Sequence, residues 1–128
     1  MSVLPNQRDH DLRVSQNTDF YNTIDGLRYP DWAVVVLFYK SVHMIESILA
    51  ERGDHSGDHA ERKRFMKKHR DLFSEDIIVN YRDLETLSRQ ARYQPNLPIS
   101  RTNVCTAEAC YTTIEKLYAS HRAVLASR

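Results

Sequence analysis

Tyr39, His43 and Glu46 stand at i, i+4 and i+7 in a stretch that is otherwise apolar. On a helix that spacing points all three from one face. A phenol, a carboxylate and an imidazole that titrates near neutral pH would then share one locality. His55, His59 and Arg62 repeat the spacing a little further on. A ring nitrogen that takes or gives a proton, beside a guanidinium that stabilises charge on a phosphoryl oxygen, is equipment for phosphate-ester chemistry. The same six groups also suit a buried network in which each donor and acceptor is satisfied and helix register is fixed.

Two histidines four apart, such as His55 and His59, can share a zinc ion, with Glu46 or Asp58 as a third ligand. No HExxH pattern and no duplicated ExxH accompany them, so no metal or other cofactor is assigned. Basic side chains are densest from Arg62 to Arg70, through Lys63, Arg64, Lys67 and Lys68. A phosphate backbone would dock most readily there, although a solvated helix face has the same composition. Arg82, Arg89 and Arg92, with Tyr93, add guanidinium forks and a stacking ring.

Helices must position these groups. Three glycines and four prolines leave few tight turns for an all-β chain, and apolar residues recur at helical spacing. The spacing predicts five helices, at about 12–25, 30–52, 59–72, 75–93 and 103–126. The first carries Phe20, Tyr21 and Ile24 as its stripe and stops at Gly26. The second opens on Pro30 and Asp31 and ends with Gly53 in the C′ position. Ala33 to Phe38 reads as a strand by β-branched content, but Val42, Ile45, Ile48 and Leu49 continue it with helical period. Being apolar nearly all round, this helix belongs at the bundle centre. Asp58 with Glu61 reads as a capping box for the third helix, and Ser74 as the cap of the fourth, which carries Ile77, Tyr81, Leu84, Leu87 and Ala91. The last helix turns Cys110, Ile114, Leu117, Val124 and Leu125 inward. The expected fold is an all-α, up-and-down bundle in one domain, with four core helices plus an N-terminal one. A short loop between helices two and three should bring Glu46 and His43 towards His59 and Arg62.

Composition bounds the partners. The 128 residues fit a single domain, and a formal charge of +1 gives no bulk drive towards polyanions. Arginines number thirteen against five lysines, a bias that suits phosphate or carboxylate recognition. Cys105 and Cys110, five apart on one helix, face different ways and do not pair. No signal peptide is recognisable, and the apolar run from Trp32 to Tyr39 is short of the roughly 20 residues a spanning helix needs. These features predict a cytoplasmic protein without membrane contact.

With those residues in place, the stretch from Pro30 to Tyr93 resembles a branch of the HEPN superfamily, small helical-bundle domains of bacteria and archaea. The resemblance rests on Trp32-Ala33, Phe38-Tyr39, His43, Glu46, Leu49-Ala50, His55, His59, Arg62, Tyr81, Leu84, Ser88 and Ala91-Arg92-Tyr93. It implies binding of nucleic acid or a nucleotide. In many members it also implies metal-independent RNA cleavage of a toxin or defence kind, by homodimers that pair two Arg-x4–6-His motifs. Arg64 with His69, Arg62 with His69 and Arg52 with His59 have that spacing. On the last helix, where the motif usually lies, Ile114, Glu115 and Lys116 precede His121 at the required positions. The resemblance therefore points instead to the set His43, His55, His59 and Arg62, or to no catalysis.

On this reading His43 or His59 would move the proton, Arg62 would stabilise the phosphate, and Tyr39 and Glu46 would orient them. His55, Arg64, Lys67, Lys68, Arg89, Arg92 and Tyr93 would bind the nucleic acid. The partners implied are RNA or a nucleotide, a second copy of the chain, and an antitoxin-like protein. The alternative is a noncatalytic interaction or dimerisation module in which the polar residues only hold the bundle together.

Overall fold

In the computed structural model of the chain, residues 4–127 are described, and they form five α-helices with no strand among them. The order is α1 (Gln7–Tyr21), α2 (Pro30–Glu51), α3 (His59–Lys68), α4 (Glu75–Tyr93) and α5 (Arg101–Ala126). The all-α bundle expected from apolar periodicity is present, and the strand-like opening of α2 is helical. Its side chains are buried from Ala33 to Phe38 and again from Met44 to Leu49. Burial on nearly all sides follows from its place, since α1, α4 and α5 all pack against it and α4 packs on α5. By length and composition α2 could also cross a membrane, but most of its apolar window lies inside the bundle, which accounts for its character.

Two placements differ from the expectation. The core quartet is α1, α2, α4 and α5, while α3 is the peripheral helix. Only ten residues long and strongly basic, α3 buries Arg62 and Met66 and little else. α1 begins at Gln7 because Asn6 and Asp9 form a capping box, with Asn6 Oδ1 accepting from Asp9 N and Asp9 Oδ2 accepting from Asn6 N. Its buried residues are therefore His10 and Val14, and Phe20 is exposed. α3 stops at Lys68, where the His69 N–H turns back to Met66 and Phe65. At the far end of α5 Val124 is exposed and lines a surface cavity with Glu51, Arg52 and Leu72 instead of entering the core.

Caps fix the remaining ends. Ser100 and Asn103 close a capping box at α5, and Ser74 Oγ accepts from Ile77 N at α4. Asp58 accepts from Glu61 N, but the Glu61 carboxylate reaches Gly57 N rather than Asp58 N. Gly53 has a φ of +81, and the Gly53 and Asp54 N–H groups bond back to Ala50 and Leu49. This Schellman end turns the chain sharply from α2 towards α3. α1 is pinned by Asp11, whose carboxylate accepts from Ser47 Oγ on α2 at 2.7 Å and from Tyr118 OH and Arg122 on α5. Cys110 is buried and Cys105 exposed.

Ile45 is fully buried at the middle of α2. Ile45→Ala is expected to cost roughly 2–5 kcal/mol through lost burial and the cavity left behind. Chemical denaturation measures this; a loss below about 1 kcal/mol would mean that α2 is not the centre of the core.

Candidate functional site

One buried ion pair organises the polar side chains. Glu46 on α2 accepts from Arg62 Nε on α3 at 2.5 Å, and both side chains are under a tenth exposed. A charge taken out of water needs its full set of partners. Glu46 Oε1 also accepts from Ser56 Oγ, and Arg62 Nη1 donates to Tyr81 OH at 3.0 Å and to His59 Nδ1 at 2.8 Å. Burial works against the guanidinium charge, yet the Tyr81 oxygen and the Glu46 carboxylate hold its pKa above the ordinary value. Burial also pushes the Tyr81 phenol up to about 12, so it remains protonated. Its OH lies 3.4 Å from Glu85 Oε2, and Lys63 Nζ donates to Glu85 Oε1 at 2.6 Å.

Arg62 can only donate, so the His59 nitrogen it meets must accept. Neutral His59 therefore carries its proton on Nε2, at the edge of a side chain that is 35% exposed. Burial first, and then the Arg62 charge, lowers its pKa. The ring thus offers an N–H donor to solvent while its acceptor nitrogen faces the buried guanidinium.

On the other side of Arg62 lies a cavity of about 130 Å³, lined by His10, His43, Glu46, His55, Ser56 and Arg62 among others. His10 Nδ1 and His43 Nδ1 are 3.0 Å apart, with ring centroids at 5.3 Å. One must donate and the other accept, so the two neutral rings hold opposite tautomers; a second proton would set N–H against N–H. Burial, then the neighbouring His10, lowers His43 to about 4, and burial lowers His10 as well. Glu46 and Asp9 pull the pair towards protonation, whereas Arg13, Arg62 and His55 oppose it. Among the described residues, no three His, Cys, Asp or Glu side chains are grouped so as to hold a metal ion.

The outward face is aromatic and basic. Arg92 Cζ lies 5.7, 5.5 and 5.0 Å over the rings of Phe38, Tyr39 and Tyr93, and its Nη1 donates to Tyr39 OH at 2.9 Å. Its Nε reaches the Ser88 carbonyl, which leaves Nη2 without an acceptor among the described residues. Phe38 joins this cluster to the buried pair, since its ring centroid is 5.6 Å from that of His59 and 5.8 Å from that of Tyr81. Arg89 Nη2 stands 3.8 Å from Glu85.

The sequence-derived set therefore divides. Glu46, Arg62 and His59 are bonded in series, as the short α2–α3 connection implied. His43 lines the same cavity as Glu46 and Arg62 but bonds to His10, and His55 joins it there. Tyr39 orients Arg92 rather than a histidine or Glu46. Arg89, Arg92 and Tyr93 share the outward face. Arg64 instead sits near Glu61, and Lys68 turns to Asp54. Of the spaced Arg–His pairs, Arg52 with His59, and Arg62 or Arg64 with His69, make no bond; His69 meets Asp54 at 2.5 Å and Arg52 at 3.4 Å. Sequence reasoning missed His10, Tyr81, Glu85 and Lys63 as members of the network. The Asn6-x-x-Asp9 box could have placed His10 inside a helix, whereas Tyr81 reads as part of the α4 apolar stripe and no local pattern singles out Glu85.

Comparison with protein-family models, with curated proteins and with solved structures finds no match to this chain. The chemistry of these side chains is what bears on function.

Arg62→Ala is expected to lower stability by roughly 3–5 kcal/mol, since it strands the Glu46 carboxylate in the interior. Glu46→Leu combined with Arg62→Met should recover much of that loss in urea melts; a double variant as unstable as the single would show that the pair is not the hub. Acid acts through the histidines. The unfolded chain protonates His43 near 6.5, but the folded chain does so only at about 4. Its contribution to stability is complete above pH 6.5 and is lost as pH falls towards 4. His43→Gln should therefore show a smaller drop in Tm between pH 7 and pH 4.5 than the wild type; equal drops would remove the histidine pair from the acid response.

Proposed function

We propose that the chain binds single-stranded RNA through the face formed by α2, α3 and α4. The observation that supports this most directly is Arg92, whose Cζ lies within 5.7 Å of the ring centroids of Tyr39, Tyr93 and Phe38 and whose Nη2 has no acceptor among the described residues. Binding of single strands combines cations that follow the phosphates with rings on which bases stack. Lys63, Arg89 and Arg92 supply the charge, and the Tyr93 ring, 70% exposed, supplies the platform. The His59 Nε2–H adds a neutral donor for a phosphate or base oxygen.

The buried half has a different task. Glu46, Arg62, Tyr81 and Glu85 set the orientation of His59 and Lys63 and do not themselves touch the ligand. Of what the likeness to HEPN domains implies, this reading keeps nucleic-acid binding and omits cleavage. A base for the 2′-hydroxyl needs a free acceptor nitrogen, and the acceptor of His59 is occupied by Arg62.

Fluorescence anisotropy with a labelled single-stranded RNA tests the reading. Binding should weaken steeply as salt rises, and the RNA should remain intact. Arg92→Ala and Tyr93→Ala should each weaken it about tenfold, from the loss of one phosphate contact or one stacked base. Wild-type protein that binds no RNA at low salt would overturn the proposal and leave the polar network a purely structural one. RNA that is cut in a His59-dependent manner would overturn its noncatalytic part.

A further inference from the structure

Three aromatic side chains stay in contact with water where α1 gives way to α2. Phe20 is 52%, Tyr29 45% and Trp32 57% exposed, and together with Thr23, Ile24 and Asp25 they line a pocket of about 430 Å³. That volume falls within the range of small-molecule sites. The wall is already set. The Tyr29 N–H bonds to the Asp25 carbonyl at 2.8 Å, and Asp25 Oδ1 accepts from Leu27 N and Arg28 N at 3.1 and 3.3 Å. The turn also backs onto α2, since a Cβ on Gly26 would meet Ala33 Cβ at 3.8 Å.

The lining points to one kind of occupant. No lysine, arginine or histidine lines the pocket, and its one charge is the Asp25 carboxylate, whose Oδ2 has no partner among the described residues. The faces of aromatic rings carry negative potential and attract cations, best when the cation is weakly hydrated. Tyr29 already does this within the protein, with Arg28 Cζ 5.3 Å from its ring centroid. With Tyr29 already beside Arg28, the Phe20 and Trp32 rings and the Asp25 carboxylate are what the pocket offers an alkylated ammonium group, whose methyls would bury against the rings while its charge meets the acid. We infer that this pocket binds alkylated ammonium ligands.

Trp32 is the sole tryptophan, so its fluorescence reports on the pocket directly. The full-length chain is titrated with choline and with 3,3-dimethyl-1-butanol, its uncharged isostere. Saturable quenching by choline, at least tenfold tighter than by the alcohol, is the expected result. Asp25→Asn keeps the Oδ1 acceptor that holds the turn and removes only the charge, and should weaken choline about tenfold. A short peptide carrying trimethyl-lysine separates the sources: affinity equal to choline assigns the site to a free metabolite, and a tenfold gain assigns it to a modified protein. Equal response to choline and the alcohol, no response to either, or quenching that follows protein concentration without ligand, as when a second copy fills the groove, would each overturn the inference.

Discussion

A carboxylate and a guanidinium buried against each other set most of what is distinctive here. Glu46 and Arg62 could not both sit inside a bundle of this size unless nearly every remaining donor and acceptor found a partner, so they recruit Ser56, Tyr81 and His59. That recruitment ties down α3, whose apolar contact with the core comes from Met66 and the partly buried Phe65. It also fixes the tautomer of His59. A peripheral helix is thus held in part by polar bonds that are worth little singly but costly to leave unmade.

The pair also partitions the molecule. One side of Arg62 is a small histidine-lined cavity under α1, and the other leads through Tyr81 and Phe38 to an open basic and aromatic surface. α2 serves both sides from one strip, because Tyr39, His43 and Glu46 are far enough apart along the axis to meet α4, α1 and α3 respectively. Residues that share a helical face in projection here have three different neighbours.

That distinction marks where the sequence is legible. Helical period identified the fold class, and Pro30 and Gly53 marked the ends of α2, because these signals are local. The approach of Glu46 to Arg62 was also accessible, since a short connection constrains it. Tyr39 with Arg92, 53 positions apart, depends on how α4 lies across α2, which no local pattern encodes. His10 was lost through an unrecognised cap, and with it the partner that makes His43 a hydrogen-bonded ring. Phe20 and Val124 misled for a converse reason: apolar spacing shows which side chains could be covered, not whether a neighbour does cover them.

The turn after α2 sets the α2–α3 connection apart from the one between α4 and α5. At Gly53 the backbone occupies a conformation that L-residues enter only with strain. Immediately beyond it, Ser56 bonds Glu46 and Asp58 starts the helix that must deliver Arg62. The corner therefore has no slack, and lengthening it by even one residue would displace the guanidinium from its carboxylate. The connection through Pro95 and Pro98 carries no such buried delivery. Over evolutionary time, insertions and decorations should accumulate on the proline loop and be purged from the glycine corner.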